Sequence, residues 1–300
     1  MRVALVGCGR WGTHVLRDLR GLDCDVSVVA RSEQSVARAA AGGADTIVAT
    51  VDELPQVDGV VVATTTSTHV EVLDRVFPLG VPVFVEKPLC HDAGEAARLA
   101  SSAGDRLFVM DKWRYHPGVE LLAEVARTER LGPVRGLRTV RVGWGTTHDD
   151  VDGIWTLAPH DLAIALEVLG CVPRPVTAVG QVDGGGNVVL HALLDAGGIW
   201  HAAEVSSRCP ERRRRVELYC DEGTASLGGG WDEHVSLYGL PSSGEPREER
   251  LPATGELPLL AELRAFVEHL RGGPPPRSSA AEGLAVVEAI ARLRTLAGLP

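Results

Sequence analysis

Lysine is almost missing from this 300-residue chain. Of its thirty Lys and Arg residues only Lys87 and Lys112 are lysine, and the rest are arginine. Basic charge as a whole is in short supply: the net charge is −10. That balance speaks against a general role on nucleic acid or anionic membrane, both of which need a basic face. The one dense basic run, Arg212–Arg215, sits where a strand pattern begins and reads as a solvated strand end. The six cysteines never form C-x-x-C and have no metal-site spacing, so free thiols are expected rather than a disulfide framework. No apolar run approaches the ~18 residues of a membrane helix. The N-terminal "MRVALVGCGRWG" reads as strand and turn, not as a secretory leader. These absences together predict a cytoplasmic protein with no nucleic-acid, membrane or metal partner. His148, Asp149, Asp150 and Asp152 share one loop, but carboxylates so nearly adjacent suit an acidic loop or substrate lid better than a metal site.

What is present is alternation. Apolar runs at 2–6, 25–30, 46–49, 59–63, 82–85 and 107–110 are separated by helical patterns such as 33–41, 68–77 and 92–103. Continuous apolar strands between helices imply a parallel sheet covered on both faces, a Rossmann-type doubly wound α/β domain over residues 1–115. From 116 to 300 the rhythm changes. A helix at 117–129 precedes alternating segments at 134–144, 176–183, 187–195, 199–207, 213–220 and 234–238, joined in part by the hairpin signals "DGGGN" and "DAGG". A helix at about 158–169 interrupts them, and helices at 258–271 and 280–297 close the chain. This predicts an α+β domain with a large, mostly antiparallel sheet, the 280–297 helix being free to pack back on the first domain.

Straight after the first strand, "VGCGRWG" supplies Gly7-x-Gly9-x-x-Gly12 at a helix start. Glycines there permit the tight turn, the approach of a pyrophosphate to backbone N–H groups, and close helix–strand packing. Arg10 and Trp11 lie within that turn. The second strand would ordinarily end in an acid that grips a ribose 2′-hydroxyl. Here it ends in Arg31 and Ser32, which remove the repulsion and offer charge-assisted donors to a 2′-phosphate, so NADP(H) is predicted over NAD(H). Glu33, one position on, would restore an acid if the strand ended later.

With these motifs stand "ATTTSTHVEVL", "GVPVFVEKPL", "WRYHP", "LGPV", "HDLAIALEVLG" and "PLLAELRAFVEHLRGG", in this order. The set resembles the glucose–fructose oxidoreductase/inositol dehydrogenase (Gfo/Idh/MocA) family of NAD(P)-dependent oxidoreductases over nearly the whole chain. The resemblance implies hydride transfer between nicotinamide and a carbonyl or carbinol carbon of a sugar, cyclitol or nucleotide-linked keto-sugar. An imine reductase, an enzyme that recycles a tightly held cofactor, and a cofactor-binding sensor without turnover stay open beside it. The resemblance makes Lys87 of "EKP" a catalytic residue beside the reacting carbon, where an ammonium can stabilise alkoxide character and, unlike guanidinium, can lose its proton. Thr64, Thr65, His69 and Glu86 would line the ribose and nicotinamide side. His160 would be the second catalytic group. Pro159 suits the first position of a helix, which would put His160 in the first turn, where a neutral imidazole is favoured. The family often carries an aspartate four residues before this histidine, and Thr156 stands there instead, so a His–Asp relay is not expected. Lys112, Arg114 and Tyr115, with His116, form a polar cluster that could bind substrate together with Thr156. The second domain's sheet is the family's oligomer contact, which predicts a homo-oligomer.

Overall fold

A computed structural model describes residues 1–145, 150–230, 232–239 and 247–299. They divide into two compact units: residues 1–112 with 257–287, and residues 113–256 with 288 onward.

The first unit is built on a six-stranded sheet. Its strands are β1 (Arg2–Val6), β2 (Asp25–Val29), β3 (Thr46–Val48), β4 (Gly59–Val62), β5 (Val83–Glu86) and β6 (Leu107–Met110), in the order β3-β2-β1-β4-β5-β6 and all parallel. The central strands read RVALV, GVVV and VFVE because both faces lie under helices, so nearly every side chain is buried. Four helices connect the strands: α1 (Gly12–Gly21), α2 (Glu33–Ala41), α3 (His69–Val76) and α4 (Ala93–Ala103). The order reverses between β1 and β4, and the carboxyl ends of these strands are where such sheets bind ligands.

The second unit carries an eight-stranded sheet. Its strands are β7 (Val134–Trp144), β8 (Arg174–Val182), β9 (Val188–Ala196), β10 (Ile199–Ser206), β11 (Arg208–Cys220), β12 (Gly223–Leu227), β13 (His234–Gly239) and β14 (Arg247–Pro252), ordered β14-β13-β12-β11-β7-β10-β9-β8. Only the β7–β10 pairing is parallel. One face packs on α5 (Pro117–Arg127) and α6 (Gly153–Leu169) through Leu122, Val125, Leu137, Ile164, Val216 and Leu218. The other face leaves Val179, Leu193, Trp200 and Tyr238 exposed.

Three departures from the sequence expectation matter for the site. The helix expected from about 158 begins at Gly153, because Asp152 caps it by accepting from the Ile154 N–H at 2.9 Å. Pro159 is therefore interior, where it has no N–H to offer the Trp155 carbonyl, and His160 lies two turns in. The neutral imidazole argued from a helix start consequently loses its basis. The run Arg212–Arg215 is not a strand end, since β11 extends from 208, and alternation turns Arg214 inward while its neighbours stay exposed. Finally, α7 (Pro258–Leu270) belongs to the first unit rather than following the second sheet. Leu263, Phe266 and Val267 join the core of β1, β2 and α1, and Phe266 stacks on Phe84 at 5.1 Å. The closing helix α8 spans Ala280–Leu296.

Candidate active site

The glycine turn is shaped by contact. Gly7 has φ +94°, and a Cβ there would lie 2.9 Å from the Ala63 carbonyl oxygen. A Cβ on Gly12 would come within 2.3 Å of the Gly7 carbonyl oxygen, so only glycine lets α1 begin this close to the strand. At Gly9 an added Cβ would meet nothing within 4 Å, leaving a cradle in front of the helix start. Facing the same turn, Thr64 Oγ1 is buried with no protein partner. An open glycine edge, helix N–H groups and an unpartnered hydroxyl fit a dinucleotide phosphate. Arg10 is exposed at the turn, and Thr65 is exposed beside Thr64.

At the end of β2, Arg31 is exposed. Ser32 caps α2: its hydroxyl accepts from the Ser35 N–H at 3.2 Å, while the Ser35 hydroxyl accepts from the Ser32 N–H at 3.1 Å. Glu33 is thereby the first residue of α2, past the strand end.

His69 is buried, its Nδ1 3.0 Å from the Pro88 carbonyl and its Nε2 3.3 Å from the Thr64 carbonyl. It ties the loop after β4 to the loop after β5. Lys87 follows β5 half-buried, its backbone N–H donating to Glu86 Oε2 at 3.1 Å, and the Lys87–Pro88 peptide is cis. Glu86 also accepts from the Trp11 indole N–H, which links the glycine turn to the lysine loop. Lys112 sits with its Nζ 4.2 Å from the centroid of the same Trp11 ring. The second lysine therefore joins this cluster in the first unit.

Two residues absent from the sequence reading complete the cluster. Asp111 is buried, and so is Glu262 on α7, whose Oε2 has no hydrogen-bond partner. Glu262 lies one turn before Phe266 on the same helix face, and Phe266 stacks on Phe84, two residues before Glu86. Burial pushes the Glu86 carboxyl up, against the pull of Lys87, Lys112 and the Trp11 indole. Burial and Glu86 together push Glu262 well above the usual carboxylate range. Both shifts favour the protonated form of these buried carboxyls. A signal was legible in "PLLAELRAFVEHL": an acid on the apolar stripe.

In the second unit, His160 lies beside Trp113, with ring centroids 6.5 Å apart. Trp113 stacks on His116 at 5.0 Å. The Gly118 N–H donates to His116 Nδ1, so the proton sits on Nε2 and is donated to the Gly230 carbonyl at 3.0 Å. Burial pulls the His116 pKa down, which keeps that neutral tautomer. Asp161 turns away from His160: its Oδ2 accepts from Arg141 Nε at 3.0 Å, with both residues buried. Burial pushes the Asp161 carboxyl up while Arg141 opposes it. The Thr156 hydroxyl donates to the Gly153 carbonyl at 3.2 Å. Arg114 is buried and pairs with Glu167 at 2.9 Å, and Tyr115 is buried beside it. The polar cluster read from "DKWRYHP" is thus divided, with Lys112 on Trp11 and Arg114 on Glu167.

His148 and Asp149 lie outside the described residues, whereas Asp152 is committed to capping α6 and to Arg294. Among the described residues no group of three or more His, Cys, Asp or Glu could hold a metal ion, and no helix is long and apolar enough to cross a membrane. The six cysteines are unpaired thiols.

Residues 1–110 match the family described as "Oxidoreductase family, NAD-binding Rossmann fold" (GFO_IDH_MocA). The chain is 25% identical to UDP-N-acetylglucosamine 3-dehydrogenase of Acidithiobacillus ferrooxidans, over 98% of this chain and 96% of that protein. It is 27% identical to inositol 2-dehydrogenase 4 of Saccharopolyspora erythraea, over 96% and 91%. In fold it resembles KijD10, a 3-ketoreductase from Actinomadura kijaniata solved with TDP-benzene and NADP. There the TM-score is 0.84 at 20% identity, covering 98% of this chain and 97% of that one. The glycine turn, the Lys87 loop and both sheets take their expected form, residues 1–110 match the Gfo/Idh/MocA oxidoreductase family, and the chain as a whole is similar to NAD(P)-dependent dehydrogenases over nearly its full length.

Proposed function

We propose that the protein exchanges a hydride between NADP(H) and a carbonyl or carbinol carbon of a sugar, a cyclitol or a nucleotide-linked keto-sugar. The observation that carries this reading is Lys87, at the carboxyl end of β5 and joined through Glu86 and Trp11 to the glycine turn. Gly7, Gly9, Arg10, Trp11, Gly12, Thr64 and Thr65 would hold the cofactor, with His69 fixing the loops. Arg31 would meet a 2′-phosphate, which supports NADP(H) over NAD(H). Bound nicotinamide supplies the hydride donor or acceptor.

Lys87 then hydrogen-bonds the substrate oxygen and stabilises negative charge on it as the carbon changes oxidation state. Glu86 beneath it orients the loop and offsets the ammonium. His160 is the second proton-handling group, argued from the family motif and its place beside Trp113 rather than from a helix dipole. Lys112, Tyr115 and Thr156 are secondary substrate candidates. Arg114 is a weaker one, because its guanidinium is engaged with Glu167. The named relatives act on a nucleotide sugar and on inositol, which supports the substrate class. The exposed apolar side chains on the open sheet face support a homo-oligomer through that face, and a cytoplasmic setting belongs to the same proposal.

The test is a panel of keto-sugars, sugars and cyclitols, each with NADPH, NADP, NADH and NAD. Lys87→Met should lower kcat by on the order of 10²–10⁴-fold while NADPH still binds. Wild-type kcat in that variant would overturn the assignment. Tight NADPH binding with no turnover across the panel would favour a sensor.

A further inference from the structure

Arg141 and Arg214 are direct partners across the antiparallel β7–β11 pair, so both side chains rise from the helix-covered face of the second sheet. Like charges directly opposite one another destabilise a sheet unless something compensates them. One carboxylate does so in part. Asp161 pairs with Arg141, whose guanidinium carbon also lies 4.6 Å from the Trp113 ring centroid. Arg214 has no such partner. Its Nη1 donates to the carbonyls of Val142, at 2.5 Å, and of Arg213, at 2.9 Å, and among the described residues it enters no ion pair. Its Nη2 lies near Gly143, where an added Cβ would be 4.0 Å from it and 3.8 Å from the stem of a third arginine, Arg212. Gly230 fits between Trp113 and Arg214: a Cβ there would meet the Trp113 ring at 2.8 Å and Arg214 Cβ at 3.7 Å. Trp113 in turn borders His160.

Burial and the neighbouring Arg141 bring the Arg214 guanidinium down to about 10, so it remains a cation at neutral pH. A half-buried guanidinium with Arg141 and Arg212 as cationic neighbours and, among the described residues, Asp161 as the nearby carboxylate is short of negative charge. Arginine's planar fork matches the paired oxygens of a carboxylate or phosphate.

We propose that Arg214, with the Arg141–Asp161 pair behind it, is an anion subsite that receives a carboxylate or phosphate group of the substrate, so that the sugar handled is an anionic one. This rests on the oxidoreductase reading for the word substrate, and the subsite itself is tested by binding alone.

Ligand binding is measured by titration calorimetry on protein with and without NADPH. The probes are D-glucuronate, UDP-N-acetylglucosamine, inorganic phosphate, and neutral D-glucose and myo-inositol. At least one anionic sugar should bind about tenfold or more tightly than the neutral ones. Preference for glucuronate identifies a carboxylate source, and preference for the nucleotide sugar a phosphate source. Inorganic phosphate should compete, and raising NaCl from about 0.05 to about 0.5 M should weaken the anionic ligands alone. Arg214→Gln should abolish the preference and Arg214→Lys should keep part of it, each with its NADPH affinity recorded on the same sample. Equal binding of neutral and anionic sugars by the wild type overturns the proposal, as does an undiminished preference in Arg214→Gln. If Arg214→Gln fails to fold, the wild-type salt dependence and the Arg214→Lys preference decide. An anion preference in a protein that binds no NADPH would leave the subsite standing and overturn the oxidoreductase reading.

Discussion

Around its lysines the first unit buries more acid than base, whereas around Trp113 the second unit buries more base than acid. Glu86, Asp111 and Glu262 surround the half-buried Lys87 and Lys112. Arg141 pairs with Asp161, whose charge Arg214 feels without pairing with it. The two imbalances have different remedies. A surplus carboxyl can take up a proton and become neutral inside the protein, the direction in which burial pushes Glu262. A guanidinium cannot shed its proton near neutral pH, so a surplus there must be met by carbonyls, solvent or an incoming anion. The first unit can therefore remain closed over its surplus, while the second keeps Arg214 partly open.

The largest effect that sharpens this contrast is expected at Asp161. Asp161→Asn removes the carboxylate that pairs with the buried Arg141 and whose charge Arg214 feels, and urea unfolding should show a loss of about 3–5 kcal/mol near neutral pH. A loss below about 1 kcal/mol, the value of an exposed pair, would mean that the two arginines are better solvated than their burial implies.

Next come two buried titrations that run in opposite directions. In the second unit His201 is fully buried on β10, with Nε2 3.0 Å from the Thr139 hydroxyl and Nδ1 without a partner, and burial lowers its pKa to about 4. A lowered folded pKa gives stability that is complete above the unfolded value near 6.5 and is lost as pH falls through about 4, some ~3 kcal/mol in all. His201→Gln should therefore gain on the wild type as the pH drops from about 6.5 to about 4. In the first unit Glu262 has a raised folded pKa. Its stability is complete below the ordinary glutamate value and is lost as pH rises towards the folded value. Glu262→Gln cannot ionise, so it should gain on the wild type as pH rises. Chemical denaturation of both variants from acidic to mildly alkaline pH checks the pair. Parallel slopes would break the contrast.

Much of this was legible in the sequence. The six parallel strands followed from continuous apolar runs, and the glycine turn from its place between a strand and a helix. The Lys87 loop followed from the family motif, with the rarity of lysine drawing attention to it. Burial that depends on distant partners was not legible. Arg214 looked like part of a solvated run because nothing local shows that β11 begins at 208 and pairs Arg214 with Arg141. Asp161 looked like an idle neighbour of His160, since its partner is twenty residues away on another element. Pro159 was read as a helix start because proline is common there, but the Asp152 cap, placed directly before Gly153, overrode it at the cost of one backbone hydrogen bond. Glu262 belonged to a helix correctly expected at 258–271, but only its contact through Phe266 with Phe84 ties that helix to the lysine cluster.

The smallest effect concerns charge that is exposed rather than buried. Arg31 and Ser32 stand together where a cofactor's ribose would be read, yet the Ser32 hydroxyl is already tied to Ser35 as a helix cap. Discrimination should accordingly fall on Arg31. Arg31→Ala should weaken NADPH by about tenfold, ~1.4 kcal/mol, and leave NADH nearly unchanged, as read by cofactor fluorescence titration. The difference should shrink in high salt, because an exposed guanidinium is screened where the buried Arg141 is not. Ser32→Ala should instead lower stability by about 1 kcal/mol through the lost cap, with little change in the NADPH to NADH ratio. If Arg31→Ala weakened both cofactors equally, Arg31 would be a general contact and the preference for NADP(H) would fall with it.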